Sequence, residues 1–186
     1  MKLHIKNMVC NRCKMVVKAE LEKLGFKPLL VELGEVTLAD NISADDKSKI
    51  SENLIHFGFE LLEDKKTQIA EQIKTTIINL VHYTNEQLKI NLSAYLSEQL
   101  KLEYTNLSSI FSEIENQTIE KYFIAQKIEK AKEMLTYGEL TLSEIAYQLN
   151  YSSVAHLSAQ FKKVTGITPS VYKAASADRR KMLDEI

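Results

Sequence analysis

Two cysteines stand three positions apart near the start of the chain, in Met8-Val-Cys10-Asn-Arg-Cys13, and the sequence contains no others. So few cysteines exclude a disulfide framework and suit a cytosolic thiol or metal pair. Thiols at i and i+3 on a helix N-terminus meet the positive end of the helix dipole, which lowers the thiolate pKa. Arg12 and Lys14 favour the same anionic form. Thiolates so placed are soft ligands for Cu(I) or Zn(II). Two suffice for linear Cu(I), whereas Zn(II) prefers four, so zinc would need water or a second chain. Cys10 and Cys13 are the candidate metal ligands, with dithiol oxidation and a fold kept without any ligand as the competing readings. His4 and His56 read as ordinary surface residues.

The second group of informative residues lies in the run from Leu142 to Phe161. Ser143 is placed to cap a short helix whose inward stripe is Ile145, Ala146 and Leu149, and the small Ala146 lets a second helix cross closely. Asn150 sits at the turn, where tolerance of a left-handed backbone is useful. Ser152 or Ser153 can cap the second helix, with Leu157 and Phe161 facing the core. This is a helix-turn-helix pattern, in which the second helix offers its outer face to the major groove of double-stranded DNA.

The elements that must position these residues follow from periodicity. Lys2–Met8 alternates as a strand with Leu3 and Ile5 inward. Asn11–Leu24 is helical on Val16 or Val17, Leu21 and Leu24, closed by Gly25. Leu29–Leu33 and Val36–Ala39 form a hairpin hinged at Gly34-Glu35. Asp45–Phe57 is a helix with Ile50, Leu54 and Phe57 on one stripe and Ser43 or Asp45 near its N-cap. Gly58 stops it, and Phe59–Leu62 is a fourth strand. The order β-α-β-β-α-β is that of the split ferredoxin-like unit. From Lys66 onward no strand pattern occurs. Ile69, Ile73, Ile77, Leu80 and Val81 make one apolar face of a helix over Thr67–Tyr83, joined to the first region through the stiff Glu63-Asp64-Lys65-Lys66. Leu96, Leu107 and Phe111 nearly repeat the pattern of Ile145, Leu157 and Phe161, as two copies of one helical module would. The fold class is therefore α+β: a ferredoxin-like domain (1–65), a connecting helix and loop (66–91), and an all-α domain (92–186) whose two helix-turn-helix units are joined by a long linker helix.

Ser143-Glu-Ile-Ala, Tyr151-Ser-Ser, Phe161-Lys-Lys and Gly166-Ile-Thr-Pro-Ser-Val-Tyr172 resemble the second half of the AraC-type DNA-binding domain of bacterial regulators. Tyr122–Leu135 is similar to that family's linker helix, and Leu96–Leu100 with Leu107–Phe111 to its first helix-turn-helix. The resemblance covers roughly residues 92–173. It implies base-reading positions at Thr105, Asn106, Ser108 and Ser109, and at Val154, Ala155, His156 and Ala159 beside the capping Ser153. Phosphate contacts are expected at Lys162, Lys163 and Lys173, and His156 is open to either role. Many members carry an arginine in each reading helix, where this chain has Ser109 and Ala159. Arg on guanine is the commonest specific contact. Its absence, with Asn106 for adenine and Val154 and Ala155 for thymine methyls, predicts an A·T-leaning site with much shape readout.

Met-x-Cys-x-x-Cys in a β-α-β-β-α-β chain of this length resembles the heavy-metal-associated domain of copper chaperones and metal-transporting ATPases, and Gly58-Phe-Glu-Leu61 is similar to its last loop and strand. Phe59 matches the aromatic of the ATPase domains. By that resemblance Met8 is a core plug beneath the loop. Asn7 and Val9 depart from the family's usual Gly and Thr or Ser.

Charge adds little support for DNA binding. The chain carries 24 Lys and Arg against 25 Asp and Glu. Residues 66–186 carry as many basic as acidic side chains, so nonspecific affinity should be modest and salt-sensitive. Arg179-Arg180-Lys181 is a small basic cluster in the tail. No Gly-rich phosphate loop, Ser/His/Asp set or paired-carboxylate cleft is present and the four histidines are scattered, so no enzyme is expected. No apolar run reaches the roughly 18–20 residues of a membrane helix and no signal-peptide core is visible, so the expectation is cytoplasmic. The leading expectation is a one-component regulator responding to metal or thiol redox state, with a homodimer and RNA polymerase as further expected partners. The alternatives are constitutive DNA binding with an N-terminal dimerisation or interaction module, and a metal carrier with a helical targeting unit.

Overall fold

The computed structural model describes residues 1–84 and 90–177. They group into two compact units: Met1–Thr76 with Leu96–Asn116, and Ile77–Tyr95 with the residues from Gln117 onward.

The first unit begins β1 (Lys2–Lys6), α1 (Asn11–Lys23), β2 (Pro28–Glu32), β3 (Glu35–Leu38), α2 (Ala44–Ile55), β4 (Glu60–Leu62). The four strands form one antiparallel sheet in the order β2-β3-β1-β4. Alternation along β1 sends Leu3 and Ile5 into a core with Val17, Leu21, Val36, Ile50 and Leu54, and Met8 lies at its edge with no exposed surface. Thus Val17 is the buried member of the valine pair. The hairpin turns on Leu33-Gly34, one residue earlier than the spacing suggests. Gly34 has φ +76°, and a Cβ there would stand 2.9 Å from the Thr75 methyl, so only glycine fits both backbone and neighbour.

Two expectations in this unit need correction. Phe57 is 48% exposed, whereas Phe59 is buried. The helix α2 ends at Ile55, so Phe57 falls beyond the helical stripe and the chain turns Phe59 inward. His4 is not an ordinary surface residue: its side chain is 17% exposed. Burial lowers its pKa, Glu35 opposes that, and Lys2 adds to it. Its Nδ1 has no hydrogen-bond partner among the described residues. Ser43 is the cap of α2, in a reciprocal box with Asp46.

Helix α3 (Lys65–Ile78) starts where Asp64 accepts hydrogen bonds from the Thr67 N–H and hydroxyl, both at 2.8 Å. A π-helical turn, Asn79–Tyr83, follows it. Next come α4 (Leu92–Leu100) and α5 (Tyr104–Glu115). The two units divide inside α3 and inside α4. Residues of α3 and α5 are linked within the first unit by Lys66–Glu113 at 2.7 Å and Lys74–Glu115 at 3.4 Å.

The second unit contains α6 (Ile119–Tyr137), α7 (Leu142–Gln148), α8 (Val154–Thr165) and α9 (Pro169–Ala177). Ile128, Ala131 and Leu135 of α6, Ile145, Ala146 and Leu149, and Leu157 and Phe161 of α8 share one core. Thr141, not Ser143, caps α7: its hydroxyl accepts from the Glu144 N–H while the Glu144 carboxylate accepts from the Thr141 N–H. Ser143 lies inside the first turn. No helix among the described residues is long and apolar enough to cross a membrane.

Candidate nucleic-acid interface

Helix α8 is set up locally at both ends. Ser153 is its N-cap, its hydroxyl accepting from the His156 N–H at 3.1 Å. Gly166 closes it in the left-handed conformation, and Pro169 opens α9 in the first helical position. The turn before α8 passes through Asn150 at φ +56°, the left-handed position that the motif requires. Leu157 and Phe161 are fully buried, which orients the opposite face outward. At about 3.6 residues per turn, Ala155, Ala159 and Lys162 share that outer face, flanked by His156 and Lys163. All five are exposed. Val154 is half-buried against the core instead, and Lys173 is exposed on α9.

The His156 ring is held in place. Its Nδ1 lies 3.1 Å from the Ser152 hydroxyl, and its plane stands edge-on to Tyr151 with centroids 5.2 Å apart. Where Ser152 donates to Nδ1, the proton sits on Nε2 and the ring offers a donor outward.

In the first unit, α5 exposes Thr105, Asn106 and Ser109, while Ser108 is half-buried and Leu107, Ile110 and Phe111 are buried. Glu103 occupies its N-cap without a side-chain cap bond. The turn before it has Lys101 at φ +56°. The basic cluster Arg179-Arg180-Lys181 lies outside the described residues.

The thiol pair also belongs to the first unit. Cys10 is the N-cap residue of α1, and its Sγ lies 3.2 Å from that of Cys13. Both thiols are free and half-buried. The Cys13 N–H and then the Cys13 side chain hold the Cys10 thiol below its ordinary pKa; burial opposes this, and Arg12 adds a smaller effect. Asn7 takes a left-handed backbone (φ +72°), which accounts for a site where glycine would be at ease. Its N–H donates to Glu71 at 3.1 Å and its side-chain amide to the Gly58 carbonyl at 2.9 Å. No group of three or more His, Cys, Asp or Glu side chains that could hold a metal occurs among the described residues. Cys10 and Cys13 are the side chains here that could hold a soft cation.

Lys127 is the residue that sequence reasoning passed over. It lies on the inward side of α6, beside Ile128 and one turn before Ala131, and is 9% exposed. Its Nζ stands 3.8 Å from the Tyr151 ring centre and 5.3 Å from that of Phe123. Burial pulls its pKa down to about 8. A lysine within the apolar stripe Ile124, Ile128, Ala131, Leu135 was the available signal.

Residues 96–175 match the family model described as a helix-turn-helix domain. The chain is 25% identical over 119 residues to the xylose operon regulatory protein of Escherichia coli K12, covering 63% of this chain and 30% of that protein. It is 25% identical over 121 residues to an uncharacterised HTH-type transcriptional regulator, YdeC, of Bacillus subtilis 168, covering 65% and 41%. The chain thus spans well under half the length of these curated relatives. Among solved structures it is similar to the C-terminal domain of AraT, a response regulator from Geobacillus stearothermophilus, with TM-score 0.52 and 22% identity over 66% of this chain and 94% of that one. It is also similar to a DNA-binding transcriptional dual regulator from Escherichia coli K-12, with TM-score 0.51 and 21% identity over 60% and 94%. The C-terminal part of this chain thus matches a helix-turn-helix domain over residues 96–175 and shares the fold of these solved structures.

Proposed function

We propose that the protein is a sequence-specific, DNA-binding transcription regulator in which α5 and α8 read bases. The observation that supports this best is the capped, core-anchored α8, whose outer face carries Ala155, His156, Ala159, Lys162 and Lys163 within a segment that matches a helix-turn-helix domain. Lys162, Lys163 and Lys173 are assigned to phosphate, and Thr105, Asn106 and Ser109 to the second half of the site. Ser108 and Val154, both half-buried, are assigned at most a rim contact. Without arginine on either face the preferred site leans to A·T, with shape readout. The test is selection from random DNA by the full chain. A·T-rich sites support the assignment and G-rich half-sites overturn the base preference. Replacing Lys162 or Lys163 with alanine should lower the salt slope of binding by about one each.

The finer reading is a response to Cu(I), or to oxidation of Cys10 and Cys13. Its support is a polar chain within the first unit. The Asn7 N–H, just before the Met8–Cys13 loop, donates to Glu71, whose other oxygen lies 3.2 Å from Lys74, itself 3.4 Å from Glu115 at the end of α5. Burial pulls the Lys74 pKa down, but Glu71 and Glu115 outweigh it and hold the ammonium above its ordinary value. A rearrangement of the thiol loop has, in this chain, a route to a reading helix. Affinity for the selected DNA, measured without metal, with Cu(I), with Zn(II) and with Cys10→Ser/Cys13→Ser, tests it. Identical affinity in all four rejects the response.

That result would leave the second reading, a constitutive binder with an N-terminal dimerisation or interaction module. The edge strand β2 favours it, since Leu29 and Leu30 are 70% and 53% exposed next to Met15, 70% exposed, on α1.

A further inference from the structure

We propose that the second unit holds a binding site for a small organic carboxylate with an apolar body, seated in a cavity beside the Lys127 ammonium. The cavity measures about 250 Å³, and Leu80, Val81, Leu92 and Phe123 form its apolar wall. Lys127 lines it, and Gln148 supplies a neutral amide.

The charge is the argument. An ammonium withdrawn from water is costly unless it is paired, and buried lysines nearly always have an anionic partner. Lys127 is 9% exposed, yet among the described residues no carboxylate lies within ion-pair distance of it. Its contacts are the faces of Tyr151 and Phe123. Ring faces offer a cation only part of what a carboxylate does. A cavity opening onto such a group, with an apolar wall and, among the described residues, otherwise only the neutral polar Thr84, Asn91, Gln148 and Asn150, is complementary to one negative charge on an apolar frame. Its volume is below the roughly 300–1,000 Å³ of pockets for drug-sized ligands, which selects a compact aromatic or branched-chain acid over a long-chain lipid.

The site also has a consequence. The Tyr151 ring that holds Lys127 donates its hydroxyl to Gln160 of α8 at 3.1 Å and abuts His156. A carboxylate drawing Lys127 off that ring would shift a side chain in contact with the outward face of α8. This second step rests on the reading of α8 as a DNA-contacting helix; the binding site itself does not.

The experiment is titration of the full chain, without DNA, with benzoate and 3-methylbutanoate, followed by calorimetry and methyl NMR. Benzyl alcohol serves as the neutral control and inorganic phosphate as the bare anion. Saturable binding of at least one carboxylate at about 1 mM or tighter is expected, with both controls at least about tenfold weaker. Lys127→Met should weaken carboxylate binding by at least about tenfold. Val81→Phe, which fills the cavity and keeps the charge, should do the same and serves if the first variant fails to fold. No saturable binding by either acid, or unchanged binding in the folded variants, overturns the site and leaves Lys127 as a purely structural cation over two rings. Repeating the titration with the selected DNA separates the steps. Intact carboxylate binding with unchanged DNA affinity rejects the coupling to α8 and retains the site.

Discussion

The two helix-turn-helix modules share a pattern and differ in how each is held. Both bury the same apolar set, Leu96, Leu107 and Phe111 in one and Ile145, Leu157 and Phe161 in the other, and both turn through a left-handed residue at φ +56°, Lys101 or Asn150. The second helix of the second module, α8, is finished locally, with Ser153 capping it and lysines in its last turn, where they complement the helix dipole. That of the first has no side-chain cap and ends in Glu113 and Glu115, which pair with Lys66 and Lys74 of α3. One module carries its own cap and C-terminal lysines. The other turns charge toward its neighbour within the same unit. The difference teaches that a duplicated backbone pattern can be kept while the two copies are held by different means, one by its own cap and the other by ion pairs to a neighbouring helix.

The comparison is tested most severely in the cores. Phe111→Ala and Phe161→Ala should each cost about 3–5 kcal/mol, because each removes a fully buried ring. Hydrogen exchange should place the loss from Phe161→Ala in α6 to α9 and that from Phe111→Ala in the unit containing the sheet. Equal loss of protection throughout the chain for either variant would show that the two units unfold as one.

A smaller effect separates the modules by pH. The folded-state pKa of Lys127 is lowered to about 8 from 10.5. Between those values the unfolded chain holds a proton that the folded chain has released, so the stability of the second unit should rise with pH across that window. The full amplitude is on the order of 3 kcal/mol. Denaturant unfolding at pH 7 and pH 10 should show the rise in the wild type and lose it in Lys127→Met. An equal rise in that variant would refute the assignment to Lys127.

In the first unit, Glu71→Gln should cost about 1–3 kcal/mol, since it removes the charge that serves both Asn7 and Lys74 from a buried position. Thermal unfolding followed by exchange at α3 and β1 checks it, and no change at either element counts against the polar chain. The smallest contrast is in the caps. Ser153→Ala should cost about 1 kcal/mol, whereas Glu103→Ala at the matching position should cost close to nothing. Comparable losses in chemical denaturation would mean that the two N-termini are not held differently.

Much of this was legible in the residues. Period-two alternation in Leu3 and Ile5, helical spacing through Ile50 and Leu54, and the matched triplets of the two modules are local signals, and the elements lie within a residue or two of them. Asn150 announced a left-handed turn because few other residues tolerate it. The resemblance to a known domain pointed to Thr105, Asn106, Ser109, Ala155, His156 and Ala159, which are exposed, and also to Ser108 and Val154, which are half-buried. Local rules failed where two residues could do one job. Thr141 and Ser143 are both capping residues, and the Glu three positions after Thr141 decided between them. Phe57 and Phe59 are equally apolar, and the end of α2 decided which was buried.

The sequence alone determined the elements, the two modules and the thiol spacing, because these depend on neighbours within one or two turns of chain. Only tertiary structure decided that 96–116 packs with 1–76, that Glu71 joins the thiol loop to α3, and that Lys127 lies buried over Tyr151. Those outcomes depend on groups brought together from distant positions, where the loss of water around a charge outweighs the preference of any single residue for the surface.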